Sequence, residues 1–420
     1  MIFSSLDFSP ELQKGIDAAG YEQMTPIQEQ AIIPARRGKD LLAIAQTGTG
    51  KTAAFSLPIL QLMLDKPRQN EQVVGPRTLI LTPTRELAEQ LAETISNYAQ
   101  FLPFTILAVY GGVKLSSQAS KLKAGVDVLI GTPGRMLEHI SECNVDLAQV
   151  EFAVLDEADR MLDMGFQTDA QALLNLTAKK RQTLLFSATS SDAVSRFAKK
   201  LLNNHQEIMA SQRNMAADTI EHVIYPVEER RKIELFLELL DENNWYQVLV
   251  FTSTKEQADK LKAHLRRFPA AICHADKSQG TRRRAIADFK SGKVQILIAT
   301  EVAARGLDIQ GLEHVVNFNL PYLAEDYVHR IGRAGRAGGK GYAISFVSRE
   351  EERSLENIQK LIKQKIKRVK RPGYEVTRRD ELIDKVKTYS RPARQNKVTE
   401  TKISKTQDGK TKRKSRSTWY

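Results

Sequence analysis

Cysteine is nearly absent from this chain. Two occur in 420 residues, Cys143 and Cys273, far apart and in no CxxC pair. That excludes a disulfide framework and a cysteine zinc site, and it fits a reducing compartment. The seven histidines form no HxxxH or HxH pattern, so metal ligation by histidine is not expected. Long apolar runs are missing too. With no stretch of 18 or more apolar residues, no transmembrane helix is expected. The start, Met1-Ile2-Phe3-Ser4-Ser5, lacks a basic segment leading into an apolar one, so no secretory signal is read there. These absences point to a cytoplasmic protein with no membrane partner.

Enough remains to build large cores. The chain is 41% hydrophobic and 27% charged, and its length suggests two to three domains. The net charge of +13 is unevenly placed. Residues 370–420 hold sixteen Lys and Arg against six Asp and Glu, so the body before them is only mildly basic. This tail is polar and cannot bury enough surface to offset chain entropy, which predicts disorder from 371 to 420. Its lysines suit a phosphate backbone, or simply keep the chain in solution.

Apolar runs with strand character recur along the first half: Leu41–Ile44, Thr78–Leu81, Phe104–Val109, Val126–Ile130, Phe152–Leu155 and Thr183–Phe186. Stretches of helical spacing separate them. Strands alternating with helices predict an α/β fold, a parallel sheet covered on both faces. Before them, Ser9-Pro10 and Thr25-Pro26 mark two helix starts. A stretch without clear period, Gln206 to about Ala217, reads as a linker, and then the pattern restarts. Val248–Phe251, Ala270–His274, Val294–Ile298, His314–Phe318 and Tyr342–Phe346 are the second set. Leu79–Glu86 matches Leu249–Glu256, and Asp127–Thr132 matches Gln295–Thr300, at nearly equal spacing. Two tandem copies of one domain follow, placed at 1–208 and 220–370 with a linker over 209–219.

The most specific local signal is Ala45-Gln46-Thr47-Gly48-Thr49-Gly50-Lys51-Thr52, between a strand and a helix. Glycines let backbone N–H groups close around phosphate oxygens, Lys51 would neutralise them, and the Thr52 hydroxyl would hold magnesium. The first position of the usual spacing is Ala45 rather than glycine. At the end of the run Phe152–Leu155 come Asp156-Glu157-Ala158-Asp159. Acids there sit at a strand tip, where ligands bind in such sheets. Asp156 would reach magnesium through a water and Glu157 would activate the attacking water. Ser187-Ala188-Thr189 ends another strand, where its hydroxyls bond the acids or cap the next helix.

Several loops combine arginine with residues that let a backbone come close: Pro83-Thr84-Arg85, Gly111-Gly112, Thr132-Pro133-Gly134-Arg135 and Thr300 to Gly306. Such groups suit sugar–phosphate contacts without base readout. The second copy has neither the phosphate loop nor the acid pair. It carries His329-Arg330-Ile331-Gly332-Arg333-Ala334-Gly335-Arg336, in which Arg333 and Arg336 can reach one anion.

In this order and combination the motifs resemble the DEAD-box ATP-dependent RNA helicases, over about residues 1–370. The resemblance implies two tandem RecA-like domains, ATP with Mg²⁺ as the nucleotide, and RNA as the polymer bound. It implies that Gln28, with Tyr21 and Thr25, reads the adenine, that Phe3 stacks on it, and that Asp308 contacts the ribose. Arg333 and Arg336 would be arginine fingers, with His329 linking them to the first domain. Lys51, Asp156 and Glu157 complete that catalytic set, and Asp159 with Ser187–Thr189 would couple ATP state to strand separation. Thr84, Arg85, Gly112, Arg135, Thr254, Arg282 and Thr300 would hold the RNA backbone, alongside Pro83, Gly111, Thr132, Pro133, Gly134, Arg305 and Gly306.

Ala275, Glu301 and Ala334 depart from the family's common glycine, aspartate and threonine. None removes a group that acts on phosphate. Two other readings stand beside an unwinding enzyme: a clamp that holds partners on RNA, and a DNA-directed motor on the same plan. Ribosomal precursors or an RNA-decay machine are the expected settings.

Overall fold

The computed structural model describes residues 1–46, 48–68, 75–210, 220–304, 309, 312–335 and 341–374. Of the sequence-predicted site residues, Thr47, Arg305, Gly306, Asp308 and Arg336 lie outside them. So do most of the linker and the tail beyond residue 374.

Two seven-stranded sheets form, and all their pairings are parallel. The first contains β1 (Leu41–Ile44), β2 (Thr78–Leu81), β3 (Ile106–Val109), β4 (Val128–Gly131), β5 (Phe152–Leu155), β6 (Gln182–Ser187) and β7 (Gln206–Met209). The second contains β8 (Ile220–Pro226), β9 (Val248–Thr252), β10 (Ala270–Cys273), β11 (Ile296–Thr300), β12 (His314–Asn317), β13 (Gly341–Val347) and β14 (Lys367–Arg368). Their orders are β3-β4-β2-β5-β6-β1-β7 and β10-β11-β9-β12-β13-β8-β14. Position for position this is one topology used twice. The two stretches matched by sequence, at β2 with β9 and β4 with β11, occupy equivalent places.

The central strands are buried end to end: Thr-Leu-Ile-Leu in β2 and Phe-Ala-Val-Leu in β5. Helices cover both faces, so near-continuous apolar runs are what such strands need. Each sheet accordingly has a separate core on either face.

Three segments differ from the sequence reading. Gln206–Met209, placed within or at the start of the linker, is strand β7, paired with β1 from Leu41↔Gln206 to Ile44↔Met209. Only Ile208 of the four is buried, so an edge strand with one inward residue carries no periodic signal. Strand β8 was not expected at all, because polar Glu221 and His222 interrupt its apolar residues. Finally, residues 371–374 are ordered rather than part of a disordered tail. Tyr374 is buried, its hydroxyl donates to Glu238 Oε2 (2.7 Å), and Arg231 stacks on its ring at 4.3 Å. A single aromatic and one arginine pairing with Glu238 (2.8 Å) are enough to hold four residues.

Sheet order brings the functional loops together. The carboxyl ends of β1, β6, β5 and β2 stand side by side, with Ile44 opposite Ser187 and Leu81 opposite Leu155. The phosphate loop, the Ser-Ala-Thr turn, the acids and the Pro-Thr-Arg loop are therefore neighbours, although about 140 residues apart in sequence at the extreme.

Candidate active site and nucleic-acid interface

The phosphate loop is built on β1 and opens the helix Lys51–Asp65. The Ala45 N–H donates to Ser187 O (2.9 Å), which pins the loop's start to β6. Gly48 and Gly50 have φ of +81° and +88°, a region closed to most side chains. Lys51 folds back within the loop, Nζ donating to Ala45 O (3.1 Å), and the Thr49 hydroxyl donates to Gln46 O (2.7 Å). Thr52 is half-buried in the helix's first turn. N–H groups that start a helix favour an anion.

Gln28 is buried behind this loop. Its Oε1 accepts from the Thr25 N–H (2.8 Å) and its Nε2 donates to Gly50 O (3.1 Å). The Thr25–Gln28 segment and the glycine loop are thus one hydrogen-bonded unit. A Cβ on Gly50 would stand 2.3 Å from Gln28 Nε2. Gly50→Ala is therefore expected to weaken ATP binding by at least about tenfold, through strain and lost hydrogen bonding together. Titration with a fluorescent ATP analogue checks this, and unaltered affinity would separate the two segments functionally.

Phe3, expected on the adenine, is buried. It is 1% exposed and packs against Tyr21, ring centroids 5.6 Å apart. Tyr21, half-buried, in turn shares a hydroxyl hydrogen bond with Tyr98 (2.9 Å). A bulky apolar ring next to apolar neighbours gains more from the core than from a half-open site. Phe3 supports Tyr21 from below.

The acids follow β5. Asp156 is 3% exposed, and its carboxyl is pushed up to about 6. Burial is the largest cause. The charge of Lys51 opposes it, Glu157 adds to it, and the Glu157 N–H donated to Asp156 Oδ1 (3.0 Å) opposes it. A carboxylate this poorly solvated gains from a cation. With the Thr52 hydroxyl it makes a hard, all-oxygen donor set, which suits magnesium held partly by phosphate. Among the described residues no group of three His, Cys, Asp or Glu could hold a metal ion by itself.

Glu157 is buried at φ +53°, an uncommon conformation for a residue with a side chain and one met at functional sites. Asp159 points elsewhere. Its Oδ1 accepts from the Arg160 N–H (3.1 Å) and its Oδ2 from the Ala188 N–H (3.2 Å). The acids and the Ser-Ala-Thr turn are therefore joined through the Ala188 backbone, not through the hydroxyls. Ser187 Oγ instead donates to Thr189 O (2.9 Å) and closes its own turn. The cap of the following helix is Ser191, whose Oγ accepts from the Val194 N–H (3.3 Å).

On the same sheet end, Thr84 caps the helix Arg85–Tyr98, accepting from the Leu87 N–H (3.3 Å). The Arg85 guanidinium lies over Gly111-Gly112, where a Cβ on Gly112 would meet Nη1 at 2.2 Å. Only glycine permits that approach. Arg135, just inside the helix Pro133–Ser141 that Thr132 opens, donates to Val113 O (2.8 Å). Gly134 has no heavy atom within 4 Å of a built Cβ and faces open space. In the second lobe Thr254 caps its helix and stays exposed, accepting from the Gln257 N–H (3.2 Å). Thr300, half-exposed, ends β11.

The two lobes meet through charge pairs that sequence reading missed. Arg160, next to the acids, pairs with Asp326 of the second lobe, both nearly inaccessible. Burial works against the Arg160 charge, but Asp326 outweighs it and raises the guanidinium above its ordinary value. Glu86 receives Arg282 (2.9 Å) and Gln279 (3.1 Å), and Arg283 pairs with Glu89. Arg282, expected on RNA, pairs here with Glu86 of the first lobe. Long-range partners leave no local signal, and a charge alone does not announce its mate.

Arg330 is internal to the second lobe. It bonds Glu301 (2.5 Å), Asn317 Oδ1 (3.2 Å) and Asn319 O (2.8 Å), and stacks on Phe251 at 4.9 Å. His329 and Arg333 flank it and face the other lobe. Glu157 and Arg160 line one pocket with Glu301, His329, Arg330 and Arg333. The acid end of the first lobe and the arginine end of the second form one cavity.

A phosphate loop with an acid pair on one RecA-like sheet, faced by arginines from a second, defines a two-lobe nucleotide-driven motor. The comparisons narrow this. The DEAD/DEAH box helicase model matches residues 25–197, and the helicase conserved C-terminal domain model matches 231–338. The DEAD-box ATP-dependent RNA helicase CshA of Bacillus cereus is 41% identical over 372 residues, covering 88% of this chain and 70% of that protein. S. cerevisiae Dbp5 bound to RNA and ADP BeF3 matches 92% of this chain and 99% of its own at 33% identity, TM-score 0.77. Mss116p bound to ssRNA and AMP-PNP matches 92% of this chain and 82% of its own at 26% identity, TM-score 0.79. The chain belongs to the DEAD-box family of ATP-dependent RNA helicases.

Proposed function

We propose that this helicase works by closing its two lobes around ATP and RNA, and that closure assembles the catalytic site. The observation that carries the reading is the shared pocket, in which Glu157 of one lobe faces His329 and Arg333 of the other. Gln28 and Tyr21 select the adenine, and Lys51 with the backbone of residues 45–50 cradles the phosphates. Thr52 and Asp156 would hold the magnesium ion that accompanies ATP. When bound, that ion neutralises charge on the triphosphate. Glu157 orients and deprotonates the attacking water. Arg333, together with Arg336, steadies the charge that develops on the transferred phosphate.

RNA lies on loops around Thr84, Arg85, Gly111-Gly112, Thr132–Arg135, Thr254 and Thr300. Closure bends one strand and sheds its partner over a few base pairs, and hydrolysis removes the shared anion and reopens the lobes. Domains over 1–208 and 220–370 with a short linker suit that motion. Among the described residues no helix is long and apolar enough to cross a membrane. A cytoplasmic enzyme acting on ribosomal precursors or with an RNA-decay machine fits the reducing-compartment composition.

The test is ATPase stimulation and duplex displacement with matched RNA and DNA strands. Stimulation and displacement by RNA, not DNA, is the expected result. Equal stimulation by DNA would favour a DNA-directed motor. RNA-dependent ATPase without displacement would favour a clamp.

A further inference from the structure

One buried amide joins the two loops that flank the proposed RNA track of the first lobe. Gln118 lies on the helix Leu115–Lys123 and is 5% exposed. Its Nε2 donates to Tyr110 O (3.0 Å). Its Oε1 accepts from Arg135 Nη1 (3.1 Å) and pairs with His139 Nε2 (3.0 Å). His139 is fully buried, and burial, followed by the nearby Arg135 charge, holds its pKa below the usual value. Since Gln118 Oε1 only accepts, the network assigns a His139 proton to Nε2.

Two of these bonds fix groups of the proposed RNA surface. The Tyr110 carbonyl belongs to the peptide that ends in the Gly111 N–H. A trans peptide points its C=O and N–H in opposite directions. Holding the carbonyl inward on Gln118 turns the Gly111 N–H away from that helix. The Arg135 guanidinium is held by the same amide and by Val113 O on the far end of that loop. The loop and the arginine thus share one fixed spacing. Tyr110 extends the link further, because its hydroxyl accepts from Arg283 of the second lobe.

We propose that Gln118 is the positioning residue of the first lobe's RNA surface: its side-chain amide sets the Gly111-Gly112 loop and Arg135 at the spacing of the strand they grip. The proposal rests on the reading that these loops contact RNA. Gln118 itself touches no RNA. It acts by preorganising groups that do, and a displacement of about 1 Å in such a group can cost on the order of a hundredfold.

The experiment measures ATPase against RNA concentration for Gln118→Met, Gln118→Glu and Arg135→Ala. Methionine keeps the volume but strands the Tyr110 carbonyl and the His139 N–H. It is expected to raise the half-saturating RNA concentration by about tenfold or more. kcat at saturating RNA and the KM for ATP should stay within about twofold. Glutamate keeps an acceptor for Arg135 and His139 but sets a second acceptor oxygen against the Tyr110 carbonyl, so its rise should also be severalfold or more. Arg135→Ala should raise the same parameter.

Unchanged RNA half-saturation in Gln118→Met, with Arg135→Ala raised, overturns the role of Gln118 alone. A loss wholly in kcat overturns it as well. If Arg135→Ala leaves RNA half-saturation unchanged, the RNA reading of the loops falls and the proposal falls with it. Should the methionine variant fail to fold, Gln118→Glu decides, and an unaltered RNA half-saturation there contradicts the proposal.

Discussion

Glu157→Gln should bind ATP and RNA together and turn over about 10²–10⁴-fold more slowly, the usual worth of a general base. The geometry favours a clean experiment. The link from residue 157 to Asp156 runs through the backbone N–H, which the substitution keeps. Glutamine has the volume of glutamate, so burial at this tight left-handed position is undisturbed. What disappears is the carboxylate that takes a proton from water. The closed complex then has no exit by hydrolysis, and RNA should dissociate slowly while ATP is present. Single-turnover ATPase and RNA dissociation rates measure both effects. Fast turnover, or rapid RNA release with ATP bound, would remove Glu157 from the role of base.

Arg333→Ala should lose about 10³–10⁵ in turnover, as arginine fingers do elsewhere, while ATP affinity is largely kept. The reason for the split is spatial. The phosphate loop, Gln28 and the acids all belong to the first lobe, whereas Arg333 arrives from the second. Truncating its side chain leaves its backbone ties in place, since Arg333 O accepts from the Leu312 N–H (3.0 Å) and its N–H donates to Arg330 O (3.2 Å). Arg330, three residues earlier, provides the contrast. Its guanidinium is bound to Glu301, Asn317 and Asn319, so its removal strands buried polar groups and should lower the melting temperature of the protein. Comparing thermal unfolding and ATPase for the two variants separates a group that acts on the nucleotide from one that holds the lobe. Near-normal RNA-stimulated turnover in Arg333→Ala would refute the finger assignment.

What the sequence made legible was whatever has a local physical signature. Parallel strands buried on both faces read as apolar runs, and β2, β5 and β9 were found within a residue of their ends. Glycines at positive φ ahead of Lys51-Thr52 marked the phosphate loop. Acids ending an apolar strand marked the tip of β5, where Asp156 and Glu157 are buried. Strands β7 and β8 were harder, because β7 buries one residue in four and β8 carries Glu221 and His222. Contacts between lobes were invisible. Nothing near Arg160 in the chain points to Asp326, 166 residues on, and Arg282 reads as a phosphate ligand until Glu86 stands beside it. Phe3 was placed on the adenine by resemblance alone, and its packing against Tyr21 has no local signature. Gln118 escaped notice because a polar residue in an unremarkable helix carries no motif. Its meaning comes only from the three groups that converge on it.

The central claim is that one active site is divided between two lobes and completed when they close. The most direct measurement is the distance between lobes, by energy transfer between one dye on each. Cys143 is exposed on the first lobe and Cys273 is buried, so labelling Cys143 together with an added cysteine at the exposed Ser291 gives one pair. The account predicts efficient transfer only when a non-hydrolysable ATP analogue and RNA are both present, and its loss in the same mixture for Arg333→Ala. Equal transfer with either ligand alone, or with none, would contradict it.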